Sequence, residues 1–545
     1  MNKSGSLIAQ LFSIRNQYGK NFSTRKLNLL DTLARAPVKS KKALQSYNDT
    51  LLFLIAYPDN RAVYRLASQS LHQLQLYIQS HSAIKERLYN TGITNTLVCA
   101  AFSFEIVKWL RSKHPKDIQI YSFESNDIQI RSILSVVMPK VESEILQDAN
   151  ATWRSWLKQT SKREDDMLDR LIAVFDETDM RPETRDEFWN AIGINVEISL
   201  PSHHGLHGSL ITPYCHRSLI KKKFIQQQPD VKPATVDVDE IEAEYIIECS
   251  RMIMVRHLRE IDPITFTAPR LVSYYRLDRG ISVALMGMVP ERRHPIDSYM
   301  GYAVFKNGLP VAYGGSWILF DSGRIGLNVF PAYRGGESQY IFQQVLKLHS
   351  KIYRLNRFSV DPYQIGKQNS DGIHSGSFWV YYHAGFRPIR EQQQHLAEAE
   401  ALKIKAIKGY RSAGSVLAKL AESRLELILQ KKPVRFDATD VSLAYARILK
   451  DQYNNNRKLA EERSFTKLAR LLQLKNYHEE KLQFILKNWC VLLLSNEQEL
   501  RRNPGLKKKL KKLVELKAEG AEEDYITELQ AARELRKFLE GIVII

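Results

Sequence analysis

The sequence predicts an α+β fold in which a mixed sheet module sits between N-terminal and C-terminal helical regions. Three observations predict it. Fourteen of the 25 glycines lie between Arg270 and Arg390, and glycine gathers where a backbone takes positive φ or approaches a ligand. On both sides of that centre, apolar residues recur at three- and four-residue spacings, the period of amphipathic helices. Inside the centre the period falls to two, the period of strands. A chain of 545 residues is expected to hold two to four domains. The boundaries fall at 1–201 for a helical domain, 202–239 for a connection, 240–394 for the sheet module and 395–545 for a basic helical region.

In the first region Leu51, Leu52, Ile55 and Tyr57, then Val63, Leu66, Leu71, Leu74 and Leu76, follow helical spacing. Residues 117–123 (DIQIYSF) alternate and predict a strand. The 202–239 segment mixes Gly, Pro, Lys and Gln without a period, as a connection does, and a helix resumes over 240–260. In the centre, Tyr299–Phe305 reads as a strand and Asn307-Gly308 as a hairpin turn that tolerates positive φ. Leu309–Phe320 and Arg324–Phe330 complete a three-stranded antiparallel meander. A helix follows from about Glu337, then a strand over Arg357–Asp361. A second helix, Ser377–His383, stops at Ala384-Gly385, and Phe386 opens a last strand.

From about Gln394 the chain reads as charged helices. Lys and Arg number 79 against 60 Asp and Glu, a formal charge of +19. The final 150 residues carry nearly half of that excess. Such a balance suits an anionic partner without selecting one. The run Lys507–Lys512 (KKKLKK) lies on a predicted helix whose Leu506, Leu510, Leu513 and Leu516 form an apolar stripe. It reads as a solvated basic face or as a site for nucleic acid or anionic lipid.

Several classes fall away. The apolar runs Leu51–Tyr57 and Cys490–Leu494 are far short of the roughly 18 residues expected of a membrane span, so no transmembrane segment is expected. Cys99, Cys215, Cys249 and Cys490 are scattered, which fits neither a disulfide framework nor a zinc ribbon. A cytoplasmic protein with reduced thiols is the expectation. His203, His204, His207, Cys215 and His216 are the only metal-like cluster, and Gly205 and Gly208 argue against the helix such spacing would need. A polar loop is expected there, and no metal.

The chemistry gathers at two segments. In Asn328–Tyr340 (NVFPAYRGGESQY) a strand ends, Arg334-Gly335-Gly336 turns, and a helix begins. The first N–H groups of a helix lack internal partners and lie at the positive end of its dipole, so the turn is a ready anion cradle. In Asn369–Pro388 (NSDGIHSGSFWVYYHAGFRP) an aromatic helix ends in Gly385-Phe386.

This order of strands, glycine turn, helix, strand and aromatic helix ending in Gly-Phe resembles the GNAT acyltransferase superfamily over roughly Tyr245–Arg390. Arg334-Gly335-Gly336-Glu337-Ser338 is similar to its phosphate-binding loop, though a residue shorter and with an acidic Glu337 where phosphates are held. Phe378–Phe386 is similar to its aromatic helix, and the stretch from Asn369 to Tyr381 is longer than the family's.

The resemblance implies transfer of an acyl group from a thioester donor to an amine. The donor would be acyl-CoA, as co-substrate, or an acyl-carrier protein. It places the donor at Asn328, Val329, Arg334, Gly335, Gly336, Ser338 and Asn369, with backbone N–H groups near Asn328–Val329 polarising the carbonyl. Tyr381 matches the tyrosine that protonates the leaving thiolate, and Asp361 or Glu337 is the candidate base. Each has an ordinary alternative: Tyr381 a packed aromatic, Asp361 a turn initiator before Pro362, Asn369 a loop residue. The rival functions are a non-catalytic interaction protein on a degenerate module, and a nucleic-acid-associated factor acting through the C-terminal helices.

Overall fold

The computed structural model describes residues 3–35, 38–147, 152–163, 166–201, 205–220, 232–429 and 436–543. They fall into two compact units. The first is Met1–Gly208 with Tyr214–Arg217 and Glu248–Glu260; the second is Ser209–Pro213, Ser218–Ile247 and Ile261–Ile545. The first continuous stretch of the first unit runs to Gly208, and two later segments return to it. The 395–545 region is no separate body, because it belongs to the same unit as the central sheet.

The first unit opens with five helices, α1 (Lys3–Ile14), α2 (Lys20–Ala34), α3 (Lys41–Ala56), α4 (Arg61–Gln79) and α5 (Ser82–Arg87). Asn60 starts α4 by accepting a hydrogen bond from the Val63 N–H, as an N-cap does. Lys26, fully buried, donates to Asp59 at 2.6 Å and to the Gln17 carbonyl. After this bundle the mostly helical region holds not one strand but a small sheet. Strands β1 (Leu97–Ala101), β2 (Ile118–Phe123) and β3 (Ile194–Ser199) pair antiparallel in the order β1-β3-β2. The alternation at 117–123 marks β2, and β3 also alternates, burying Ile194, Val196 and Ile198. Helices α6 (Phe104–Lys113), α7 (Asp127–Val137), α8 (Lys140–Ser143), α9 (Trp153–Thr160), α10 (Met167–Asp176) and α11 (Pro182–Ile192) surround it. Trp156, Trp189, Phe104 and Phe175 fill the core between them.

The second unit is built on nine strands. They are β4 (Ala234–Val236), β5 (Val272–Arg276), β6 (Ile281–Met286), β7 (Ser298–Lys306), β8 (Leu309–Leu319) and β9 (Ser322–Val329), then β10 (Arg357–Val360), β11 (Arg387–Pro388) and β12 (Leu425–Ile428). Their order is β11-β12-β10-β9-β8-β7-β6-β5-β4. β4 lies inside the predicted connection, where it pairs with β5. β12 interrupts the predicted helical tail and inserts between β10 and β11.

The predicted meander is β7–β8–β9, and its first turn places Asn307 at φ 47° and Gly308 at 81°. Every neighbouring pair is antiparallel except β9–β10. A parallel pair needs a crossover, which the helix after β9 supplies.

Helices α12 (Glu240–Arg256) and α13 (Asp262–Thr265) lie in the chain between β4 and β5 of this sheet. Within it come α14 (Ser338–Ile352), α15 (Ser370–Ser375) and α16 (Ser377–His383). The tail adds α17 (Glu391–Ala406), α18 (Gly414–Leu420), α19 (Ala438–Tyr453), α20 (Arg457–Leu471), α21 (Glu480–Leu494), α22 (Glu497–Arg502), α23 (Pro504–Glu519), α24 (Glu522–Ala531) and α25 (Arg533–Val543). The leucine stripe of the KKKLKK helix is mostly core: Leu506, Leu510 and Leu513 are fully buried. Among the described residues no helix is long and apolar enough to cross a membrane.

Candidate functional site

The site is built where the two parallel strands part. β9 and β10 pair only over Arg357↔Ser322, Phe358↔Gly323 and Ser359↔Arg324. β9 then runs on to Val329 against β8 alone, while β10 stops at Val360. The result is a gap beside the last five residues of β9.

The direction of each backbone group there follows from two bonds. The Leu327 N–H donates to the Tyr381 hydroxyl at 3.3 Å, on the gap side. The Phe330 N–H donates to the carbonyl of Val311 in β8, on the opposite side. Successive N–H groups of a strand point to opposite sides. The Val329 N–H therefore faces the gap with Leu327, while the Asn328 N–H faces β8. Of the two amides singled out from the sequence, Val329 faces the gap and Asn328 faces β8.

Tyr381 is held in the gap from α16. Its ring meets Phe342 of α14 edge-on at 5.1 Å and Phe386 at 5.9 Å. Burial pushes its hydroxyl up to about 12, the Leu327 N–H pulling the other way. The phenol therefore keeps its proton at neutral pH, and the oxygen that accepts from Leu327 still has that proton to donate. Gly385, at φ 105°, ends α16 as the sequence indicates.

At the mouth of the gap Pro331–Tyr333 forms a 3₁₀ turn, and Gly335 takes φ 84°, a region closed to most side chains. The exposed Arg334 reaches back with Nε at 3.4 Å from the Val329 carbonyl. Gly336 donates to Tyr333, and Ser338 is the first residue of α14.

Glu337 is misplaced for a base, and the reason is its burial. The carboxylate is 1% exposed and makes no capping bond to its own helix. It turns instead to Lys306 at 2.8 Å, to Arg279 Nε at 3.0 Å and Nη2 at 2.5 Å, and to the Ile220 N–H at 2.9 Å. Burial pulls the Lys306 ammonium down to about 8 against the upward pull of Glu337. Two cations thus neutralise the acid, and the head of α14 keeps its positive character with Arg334 beside it. The sequence gives no sign of this cluster, since Arg279 stands 58 residues away.

Asp361 lies one residue beyond β10. It opens the 3₁₀ turn Pro362–Ile365, and its carboxylate stands 3.4 Å from Arg324 with about a third of its surface exposed. Continuing the β10 register would set it opposite Gly326. A side chain there would press on Gln364, whose Cδ is 3.0 Å from the Cβ position.

Asn369 caps α15. Its Oδ1 accepts from Gly372 and its Nδ2 donates to Tyr363, which uses the amide for the loop. Between Asn369 and Tyr381 the chain forms α15 and the start of α16.

Strand alternation puts Asp361, Arg324 and Trp317 on the sheet face opposite Tyr302 and α14. Trp317 stacks on Tyr299 at 4.0 Å, and Arg324 lies over the Trp317 ring. A cavity of about 50 Å³ opens on this face, lined in part by Trp317, Arg324, Arg357, Ser359, Arg424 and Asp437. None of these six was picked out from the sequence: four sit on β8, β9 and β10, while Arg424 precedes β12 and Asp437 caps α19.

Of the metal-like cluster, His203 and His204 lie outside the described residues. Cys215 and His207 are exposed, whereas His216 is buried among the rings of Tyr18, Tyr57 and Tyr214. Among the described residues no group of acidic, His or Cys side chains could hold a metal ion. No family model, no curated protein and no solved structure matches this chain.

Proposed function

We propose that the second unit is an acyltransferase of the GNAT type, moving an acyl group from a thioester donor to an amine. The observation that carries the reading is the gap between β9 and β10, edged by the Leu327 and Val329 amides and closed by the Tyr381 hydroxyl. A pantetheine arm is an amide-bearing chain, so it can add to an open strand edge through main-chain hydrogen bonds. Its phosphates would meet the head of α14, Arg334 and the tight turn at Gly335.

With the thioester in the gap, the Val329 N–H polarises its carbonyl. The amine attacks the carbonyl carbon, the C–S bond breaks, and Tyr381 hands its proton to the departing sulfur. Asp361 takes the ammonium proton of the acceptor, directly or through water. Acid and base then act from opposite faces of one gap. Positioning alone contributes several kcal/mol to such a reaction.

Donor binding is the first test. Acetyl-CoA, long-chain acyl-CoA and acylated carrier protein are titrated against the full chain in thermal melts. A ligand at 100 times its Kd stabilises by about 2.7 kcal/mol, a shift of roughly 4 °C for a unit of this size. Tyr381→Phe is expected to keep that shift and lose about 10²-fold or more in turnover. No shift with any donor at millimolar concentration would sink the reading and leave a non-catalytic scaffold.

A further inference from the structure

The C-terminal helices hold a basic cleft unrelated to the gap chemistry. On α20, Arg463, Lys467 and Arg470 stand four and three residues apart, so they share one face. With Thr466, Leu471 and Arg501 they line an open concavity of about 600 Å³. Lys467 and Arg501 share one carboxylate, Glu497, at 2.5 and 2.7 Å. Arg463 and Arg470 have no ion-pair partner among the described residues, and both are exposed.

The KKKLKK run feeds the same surface. Lys507 donates to the Arg501 carbonyl at 3.2 Å and Lys511 to the Gln473 carbonyl at 2.9 Å, which sets both at the rim. Lys509 and Lys512 turn away to grip Glu528. Six cations therefore lie in or beside the cleft, two of them paired to Glu497.

We propose that this cleft binds the phosphodiester backbone of a nucleic acid without reading its sequence. Cations about 5–6 Å apart along a helix suit a chain of regularly spaced charges. Arginine forks match phosphate oxygens in pairs. A membrane surface is disfavoured because the apolar stripe of α23 is buried in the core and offers nothing to insert. An acidic protein would need an apolar patch at the centre of its interface, and Leu471 is the only apolar residue of the lining.

Fluorescence anisotropy of the full chain with a labelled 24-base-pair DNA duplex and a 24-nucleotide RNA, between 50 and 200 mM KCl, tests this. If about five phosphates are neutralised, the log–log salt slope is about −4.5 and affinity falls roughly 500-fold across that range for the duplex. The stronger of the two arms identifies the nucleic acid.

Arg463→Glu with Arg470→Glu, checked for unchanged circular dichroism and melting, is expected to weaken binding at least tenfold and flatten the slope by about 2. Lys507→Gln with Lys511→Gln should weaken it less, and serves if the first pair fails to fold. Polyglutamate or phosphatidylserine vesicles competing as well as nucleic acid would overturn the proposal. So would full affinity in either folded double variant, or no binding at 50 mM KCl.

Discussion

Replacing Glu337 by Gln tests the ion cluster that holds the head of α14. The carboxylate accepts from Lys306, from Arg279 twice and from the Ile220 N–H, and Lys306 is fully buried. Removing the negative charge leaves two cations without their buried counter-ion. Breaking a buried pair from one side costs about 3–5 kcal/mol. The unit containing Glu337 has about 320 residues. Its unfolding entropy at about 2.1 cal/mol/K per residue converts that loss to a melting decrease of about 5–7 °C at pH 7.

The same substitution changes the pH dependence. Lys306 sits at about 8 in the folded chain, against 10.5 ordinarily. Between those values the unfolded chain binds more protons, so this site's contribution to stability rises with pH. It is complete above about 10.5 and absent below about 8. Without Glu337 the folded value of Lys306 drops further, and the variant starts to gain at a lower pH. Its deficit should narrow as pH rises from 6 towards 9, measured by calorimetry against the parent. Adding Lys306→Met should recover part of the loss at pH 7. A melting change within 1 °C, or a deficit constant in pH, would refute the assignment of the cluster.

Two further outcomes follow from single positions. Gly335→Ala is expected to destabilise by about 1–2 kcal/mol, because φ 84° costs a side-chain-bearing residue that much; stabilisation in denaturant melts, the usual effect of Gly→Ala at a tolerant site, would show that the turn does not hold this φ. Lys517→Met should cost about 3 kcal/mol and expose the amides of β7 to hydrogen exchange, since Lys517 donates to the Asp297 carbonyl at 2.9 Å and pairs with Glu522. Unchanged protection of β7 would mean that α23 is merely laid against the sheet.

What the sequence discloses and what it conceals divide along a physical line. Local chemistry is legible: Asn307-Gly308 turns, Gly385 stops α16, and the hairpin turn with its flanking apolar runs marks β7 and β8. The period-3.6 face of α14 and the buried leucines of α23 are legible too. Features decided by pairing are not. β12 is four residues long, and its place between β10 and β11 depends on partners far along the chain. Ile281–Met286 is buried at every position, so it has no alternation to betray strand β6. At the site, Tyr381 and the turn are readable from motif and spacing. The side to which Val329 points, the occupation of Glu337, and the arginines of the opposite face are set by register alone.

The net charge takes on a different meaning once these partners are placed. Part of it is structural. Lys306 and Arg279 offset Glu337, and Lys517 and Arg293 offset Glu522, in clusters taken almost wholly out of water. The C-terminal helices are also no appended basic tail. Trp489 donates to the Pro295 carbonyl, Tyr525 to Ile296, Lys517 to Asp297 and Gln530 to Phe320. Four carbonyls spanning the approach to β7 and the end of β8 thus depend on donors from α21, α23 and α24. Each buried carbonyl left without its donor costs about 1–3 kcal/mol, so removing the helices would destabilise the sheet from which β9 and β10 diverge. The cleft on α20 and the gap beside β9 are therefore parts of one cooperative body, and a polyanion held at the first is held by the same unit that carries the second.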